Sequence, residues 1–255
     1  MMSDLPLMEL KDIHKSFGNV DALKGVSISI KAGECHCLLG DNGAGKSTFI
    51  KIMSGVHQPT SGQISINGQD TEINNPREAI DLGIATVYQD LALIPLMSVS
   101  RNFWLGRELT KKVGPITVMD FEKCNSILMT EMDKMGIQLR DPTQSIGTLS
   151  GGERQTVAIA RAVFFGAKIL ILDEPTSALG VYQTSNVLKT IERVREKGVA
   201  VIFISHNVSH ALAVGDKFTV LSRGETLGTA KAGEIDFQEL QAMMSGNKEL
   251  SVLKK

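Results

Sequence analysis

Residues 40–48 read Gly40-Asp41-Asn42-Gly43-Ala44-Gly45-Lys46-Ser47-Thr48. This stretch fits the phosphate-binding pattern G-x-x-x-x-G-K-[ST]. An apolar run, Cys35 to Leu39, precedes it and predicts a buried strand, and a helix-like stretch follows it. Strand, loop and helix together predict that a nucleotide phosphate binds here.

Each residue type in this loop suits a polyphosphate. The three glycines let the backbone turn so that successive N–H groups face inward as an anion nest. The free N–H groups and positive end of the following helix point at the phosphates. Lys46 is placed to reach the β and γ phosphates, and the hydroxyl of Ser47 to ligate Mg²⁺. The alternative is a glycine-rich turn without a ligand, and the full pattern in this context argues against it.

Size and composition limit the function classes. With 255 residues the chain forms one large α/β domain or two small ones. Its apolar fraction of 42% and charged fraction of 22% are ordinary for a soluble globular protein. A net charge of −1 gives no sign of a nucleic-acid partner. No apolar run approaches the roughly 18 residues that cross a bilayer, and the N-terminus lacks a signal pattern, so we expect a cytoplasmic protein.

The three cysteines, Cys35, Cys37 and Cys124, indicate neither a disulfide framework nor a metal site. Alternation along a strand places Cys35 and Cys37 on one face and His36 on the other, so these three side chains cannot converge on one ion. We interpret them as packing residues.

The N-terminal third predicts a small antiparallel sheet beside the main one. Val26, Ile28 and Ile30 alternate with serines, and Ile64 and Ile66 alternate before an Asn-Gly turn. A capped helix is then predicted from Asn75-Pro76 to Gly83, and a strand from Ile84 to Tyr88.

Residues 91–159 predict an inserted helical subdomain. One helix is expected to start near Ser98 and another to run from Asp120 to Gly136. The second carries a stripe with helical spacing that is expected to face the core. The stripe consists of Phe121, Cys124, Leu128, Met132 and Met135.

The remainder alternates strand and helix, which is typical of a parallel sheet flanked by helices. The predicted strands are 169–172, 199–205 and 218–222, and the predicted helices are 181–197 and 208–214. The predicted fold class is α/β, with a P-loop NTPase parallel sheet, an N-terminal antiparallel β subdomain and the helical insertion. We divide the single domain into a core of residues 1–90 and 160–235, the helical part 91–159, and a tail 236–255 with a short helix and a loose end.

The apolar strand before Asp173-Glu174 ends in two carboxylates. This arrangement holds Mg²⁺ through Asp173 and leaves Glu174 beside the γ phosphate. A solvated acidic strand end is the alternative, and the phosphate loop upstream argues against it.

Leu149-Ser150-Gly151-Gly152-Glu153 precedes a helical run through Phe164 and forms a second anion site at a helix start. One ATP does not need two such sites. The pentapeptide resembles the signature motif of the ATP-binding cassette (ABC) ATPases, and the resemblance extends over nearly the whole chain. It implies a head-to-tail dimer in which each ATP lies between the phosphate loop of one subunit and the signature of the other.

The resemblance also implies roles for residues outside the two motifs. Phe17 matches the aromatic that stacks on adenine, Gln89 the glutamine that senses Mg²⁺ and the membrane partner, and His206 the switch histidine that holds the γ phosphate. Glu174 would polarise the attacking water, with Lys46 and Mg²⁺ neutralising the developing charge. The implied catalytic residues are Glu174, His206 and Lys46, and the implied metal ligands are Ser47, Gln89 and Asp173. The implied nucleotide contacts are Phe17, residues 40–48, Gln89, Ser150, Gly151 and Gly152.

One position departs from the pattern of many cassettes. Residues 175–180 end in Gly180, where many cassettes have an aspartate that contacts the opposite subunit. Glycine there resembles the cassettes of bacterial monosaccharide importers, as do residues 101–108 and 43–49. A single-cassette fructose or ribose type is the nearest match.

A sugar-import ATPase implies several partners. They are a second ATPase subunit, a membrane permease docked on the helical subdomain, and, indirectly, an extracytoplasmic sugar-binding protein, with the ATPase on the inner face of the membrane. The alternatives are an importer for another solute and a non-transport cassette acting in DNA repair, chromosome structure or translation. The chain has neither the long coiled coils nor the paired cassettes with a basic linker that those forms carry. An unrelated P-loop kinase is disfavoured by the signature pentapeptide.

Overall fold

The computed structural model describes residues 5–245, and its main sheet has six strands. In spatial order they are Glu225–Lys231 (β12), Lys217–Ser222 (β11), Cys35–Leu39 (β3), Ala200–Ser205 (β10), Ile169–Asp173 (β9) and Ile84–Val87 (β6). All neighbours are parallel except the β11–β12 pair. The predicted parallel sheet is therefore confirmed, with an antiparallel edge strand, β12, that the sequence did not predict.

A second, four-stranded sheet is antiparallel. Its strands are Met8–Phe17 (β1), Val20–Ile30 (β2), Ser61–Ile66 (β4) and Gln69–Asp70 (β5), in the order β2-β1-β4-β5. The alternating Val26, Ile28 and Ile30 are buried on its inner face, as predicted. β1 was not predicted, because register shifts after Leu10 interrupt its alternation.

Eight α-helices accompany the sheets within residues 5–245. They are Lys46–Met53 (α1), Pro76–Asp81 (α2), Val99–Trp104 (α3), Phe121–Lys134 (α4), Gly151–Phe164 (α5), Val181–Glu196 (α6), Val208–Val214 (α7) and Phe237–Met244 (α8). The predicted cap of α2 forms, since the Asn75 side chain accepts a hydrogen bond from the N–H of Glu78. The helix expected to start near Ser98 is α3, and the Ser98 side chain caps it by accepting from the N–H of Arg101. None of the helices in the described part has the length and apolar character needed to cross a membrane.

The region predicted as helical also contains a hairpin, Thr110–Val113 (β7) and Ile116–Met119 (β8). Within the α4 stripe, Cys124, Leu128, Met132 and Met135 are buried as expected. Phe121 is not: it is 47% exposed, and the guanidinium of Arg101 lies 5.6 Å from its ring centre. It occupies the first turn, where the helix has not yet reached the core.

The central strand β3 separates two hydrophobic clusters. Cys35, Cys37 and Leu39 pack on one side of the sheet, and Leu38 packs on the other. His36 is buried, with Nδ1 3.2 Å from the carbonyl of Ser29 and Nε2 2.8 Å from Oγ1 of Thr219. The predicted alternation along β3 is thus confirmed. Burial lowers the pKa of His36 from 6.5 to about 4.

The proposed division into parts stays a prediction. The boundary placed between residues 159 and 160 falls inside α5, which runs on to Phe164. The predicted short helix of the tail is α8, and the predicted loose end lies outside the described residues beyond 245.

Candidate nucleotide site

The phosphate loop leaves β3 at Leu39 and enters α1 at Lys46. Gly40 has φ +153° and Gly43 has φ +81°. A Cβ on Gly40 would lie 2.4 Å from the carbonyl oxygen of Leu221 on β11, closer than real atoms approach. The loop can therefore pass under the β11–β12 turn only with glycine at position 40.

Lys46 points into the loop. Its side chain is almost fully buried, and Nζ donates hydrogen bonds to the carbonyl oxygens of Gly40 and Asp41. Burial lowers the pKa of Lys46, while the charges of Glu174, Asp41 and Asp173 raise it. The ammonium group thus lies where a phosphate above the loop would meet it.

A cleft of about 570 Å³ lies above the loop. Residues 41–48 line it, together with Gln89, Asp173 and Glu174. Gly40, which belongs to the predicted loop, is not among the residues that line this cleft. The structure therefore brings together the loop, the glutamine and both carboxylates of the predicted site.

Two acidic residues, Asp173 and Glu174, line the same cleft as Lys46. Burial and the neighbouring charge of Glu174 raise the pKa of Asp173, and Lys46 lowers it. Glu174 follows β9 with φ +49°, an uncommon conformation for a residue other than glycine. Its N–H donates to the carbonyl of Ile204 on β10 at 3.0 Å, which anchors this conformation to the sheet.

His206 follows β10 and contacts Glu174. Its Nδ1 lies 2.9 Å from Oε1 of Glu174, and the hydroxyl of Ser205 donates to Oε2 at 3.4 Å. The His206 side chain is 60% exposed, whereas that of Glu174 is only 14% exposed. A carboxylate and an imidazole are thus held together at the edge of the cleft.

The signature segment, Leu149 to Glu153, borders a different cleft from the phosphate loop. Ser150 caps α5: its hydroxyl accepts from the N–H of Glu153, and the Glu153 carboxylate accepts from the N–H of Ser150 at 2.8 Å. Ser150 and Gly152 line a different cleft of about 510 Å³, whose other wall is α6. Within the described chain, the helix start of α5 does not face the phosphate loop.

Phe17 ends β1 and does not line the phosphate cleft. Its partner in the strand pair, Val20, does. The ring is 45% exposed, and its centre lies 5.3 Å from that of His57. The predicted adenine-stacking residue therefore stands beside the cleft, with much of its surface open.

Two basic residues of the cleft were missed by the sequence reasoning. Lys24 lies on β2 and pairs with Glu225 at 3.1 Å, and Arg223 lies in the β11–β12 turn with φ +49°. The only sequence signal was the Arg-Gly dipeptide after a predicted strand. It indicates a turn, but the position of that turn beside the loop follows from the tertiary fold.

The donors in the cleft suit Mg²⁺. Ser47, Gln89 and Asp173 all offer oxygen atoms from the same cleft, the ligand type that this ion prefers. Residues 5–245 contain no group of three or more His, Cys, Asp or Glu side chains that could hold a metal ion. A metal here would therefore share its coordination with the phosphates, as Mg²⁺ does in phosphoryl-transfer sites.

Comparison with known proteins gives the same family from sequence and from fold. The ABC transporter family model matches residues 23–177, more than half of the chain. The xylose/arabinose import ATP-binding protein of Sulfolobus acidocaldarius is 43% identical over 244 residues, covering 96% of this chain and 95% of that protein. The ribose import ATP-binding protein of Bacillus subtilis is 38% identical over 94% of this chain, which spans about half (48%) of that protein's length.

Solved structures share the fold. An ATP-binding cassette of an ABC transporter in its ADP conformation superposes with a TM-score of 0.81 at 22% identity, covering 98% of each chain. A dimeric bacterial ABC transporter cassette gives a TM-score of 0.73 at 27% identity, covering 89% of this chain and all of that one. On the family match, the full-length relative and the cleft described above, the chain belongs to the ATP-binding subunits of the ABC transporter family.

Proposed function

We propose that the chain is the ATP-hydrolysing subunit of a sugar importer and that it works as a dimer. The observation that carries this proposal is the separation of two phosphate-binding elements in one chain. The phosphate loop opens to one cleft and the start of α5 to another. Since a single ATP cannot bridge both within one copy, a second copy supplies the missing half.

In this site each side chain has a defined task. Lys46 and the backbone of the loop hold the phosphates. Ser47, Gln89 and Asp173 would hold Mg²⁺, which would supply positive charge to the phosphate oxygens. Glu174 accepts a proton from the attacking water. Its carboxylate is oriented by His206 and Ser205, and its backbone is held by the N–H bond to the carbonyl of Ile204.

His206 is exposed and contacts Glu174, which lines the cleft. From this position we infer that its ring reaches the terminal phosphate. A hydrogen bond from its ring to that phosphate would couple the position of Glu174 to the presence of ATP. Hydrolysis removes the terminal phosphate and with it this contact. The two chains then separate, which links the chemical step to motion.

The second copy contributes the start of α5. Gly151 and Gly152 present backbone N–H groups, and Ser150 a hydroxyl, at the positive end of a 14-residue helix. The cap is intramolecular and complete, so the segment is rigid before a nucleotide arrives. The known dimer of a related cassette supports this association.

The proposed cargo is a monosaccharide. Support comes from the named relatives, a xylose/arabinose importer of matching length and a ribose importer. Fructose is a finer proposal that rests on the resemblance to the single-cassette fructose or ribose type. The membrane partner is a permease that docks on the helical part, and the ATPase lies on the inner face of the membrane.

The test uses the chain assembled with its permease in lipid. The binding protein is added with xylose, arabinose, ribose or fructose, and phosphate release is measured. We expect at least one sugar to raise the ATPase rate several-fold over the unloaded binding protein. Stimulation by amino acids or peptides, and by none of the sugars, would contradict a sugar cargo. ATPase activity in the absence of any permease would leave a non-transport cassette as the alternative.

A further inference from the structure

His210 makes a contact that the catalytic scheme above does not use. It lies in the first turn of α7, four residues after His206, and its N–H donates to the side chain of Asn207. Its Nδ1 lies 2.9 Å from Oγ1 of Thr176. Thr176 is buried, at 4% exposure, and lies two residues after Glu174.

The segment that carries Thr176 has an uncommon backbone. Glu174 has φ +49° and Ala178 has φ +58°, so two non-glycine residues in left-handed conformations flank the threonine. Such conformations persist only where the surroundings hold them. The segment therefore depends on contacts with its neighbours for its shape.

Two bridges join this segment to the start of α7. One is the 2.9 Å contact between Glu174 and His206, and the other is the 2.9 Å contact between Thr176 and His210. The bridged residues are two apart on the segment and four apart on the other side. Two contacts fix both the distance of this segment from α7 and its orientation relative to α7. A single contact would fix only the distance.

We propose that His210 is a positioning residue for ATP hydrolysis: by holding Thr176 it keeps the Glu174 carboxylate aligned with His206. The role rests on the proposed function, because it has meaning only if Glu174 acts on ATP. His210 does not line the phosphate cleft. It acts through the backbone between residues 174 and 176.

The surroundings of His210 favour this role. Burial and the nearby His206 lower its pKa, and Glu174 opposes them. His210 lines a cavity of about 490 Å³ together with Lys189 and Glu192 of α6. A neutral ring bonds to Thr176 in either tautomer, because a hydroxyl both donates and accepts.

The test compares single and double variants in the assembled ATPase. We expect His210→Ala and Thr176→Val each to lower kcat on the order of 10-fold, with KM for ATP changed less than about 2-fold, as misplacement of a catalytic group does. The double variant should be no slower than the slower single variant, because one bond accounts for both losses. His210→Asn should restore most of the rate, since its amide can occupy the position of Nδ1.

Controls separate positioning from stability and from the proposed function. Ser209→Ala changes the neighbouring residue in the same cavity and should match the parent rate. Melting temperatures identify variants that fail to fold, and Thr176→Val, which nearly keeps the side-chain volume, remains informative if His210→Ala unfolds. Parent-like kcat in folded Thr176→Val, additive losses, or no rescue by asparagine would each overturn the role of His210 while leaving the ATPase intact. A parent without ATPase activity would instead overturn the proposed function, and this role with it.

Discussion

Among single residues, Glu174 determines whether the proposed site can turn over. Its carboxylate is mostly buried and held by His206 and Ser205, and it lines the same cleft as the buried Lys46. These contacts leave ATP binding to other groups, namely Lys46 and the loop backbone. Binding and turnover should therefore be separable at this position.

Glu174→Gln tests that separation. The amide keeps the shape of the side chain but cannot accept a proton from water, so the ATPase rate should fall by a factor on the order of 10² to 10⁴. The ATP dissociation constant should stay within about threefold, because no phosphate contact is removed. Rates are measured by phosphate release and binding by titration calorimetry. A variant that hydrolyses ATP at the parent rate would exclude Glu174 as the base.

His36 predicts a pH dependence of stability. Its pKa is about 4 in the folded protein and 6.5 in the unfolded chain, so below pH 6.5 the unfolded chain takes up a proton that the folded protein does not. The stabilisation present above pH 6.5 is lost as the pH falls towards 4, by about 3 kcal/mol in total. Urea unfolding of the parent between pH 7 and 5 should show about 2 kcal/mol of this loss, and His36→Gln should show less. Parallel curves for parent and variant would contradict the assignment.

Among the structural elements, the phosphate loop and the β11–β12 turn depend on each other. The N–H of Gly224 donates to the carbonyl of Ala44 at 3.0 Å, and the carbonyl of Leu221 fills the space beside Gly40. The loop is thus shaped by a turn almost 180 residues later in the chain. A substitution at this contact should therefore lower the stability of the protein even without nucleotide.

Gly40→Ala should destabilise the nucleotide-free protein by more than about 2 kcal/mol, because a backbone oxygen 2.4 Å from the new Cβ cannot give way cheaply. Gly43→Ala is the matched control: no atom lies within 4 Å of its Cβ, so only backbone strain of about 1–2 kcal/mol remains. Denaturant unfolding without ATP compares the two. Equal losses would show that close packing at position 40 has no special role.

Elements dominated by local pattern were predictable. α7 has the predicted bounds, and β9 and β10 differ from prediction by one residue at one end, because they are apolar runs bounded by turn residues. β1, β12 and the β7–β8 hairpin were missed. β1 is irregular, β12 is a polar edge strand, and the β7–β8 hairpin is largely exposed. Their formation therefore depends on pairing with a neighbouring strand and is not signalled by alternating apolar residues.

The site residues likewise divide into those predicted by local motifs and those placed by the tertiary fold. The residue types and order of the loop and of Asp173-Glu174 were readable from sequence, since each has a local motif, whereas His206 followed from the family resemblance. The left-handed backbone at Glu174, the basic wall formed by Lys24 and Arg223, and the Thr176 contact of His210 were not. They arise where segments distant in sequence meet.

At the scale of the whole molecule, we propose that one active site needs two chains. Each copy carries a phosphate loop with its carboxylates and, on another face, the capped start of α5. Two copies related by a twofold axis and placed head to tail would form two equivalent sites. Function then belongs to the pair, and defects in different halves should complement one another.

Mixing two inactive variants measures this directly. Lys46→Ala impairs the phosphate loop. Ser150→Asp impairs the signature by placing a negative charge at the phosphate position, while keeping a residue that caps helices well. Each variant alone should be nearly inactive, and an equal mixture, reassembled at random, should recover roughly a quarter of the parent's ATPase rate, the share of sites that combine two intact halves. A mixture no more active than the two variants measured separately would contradict a site built from two chains.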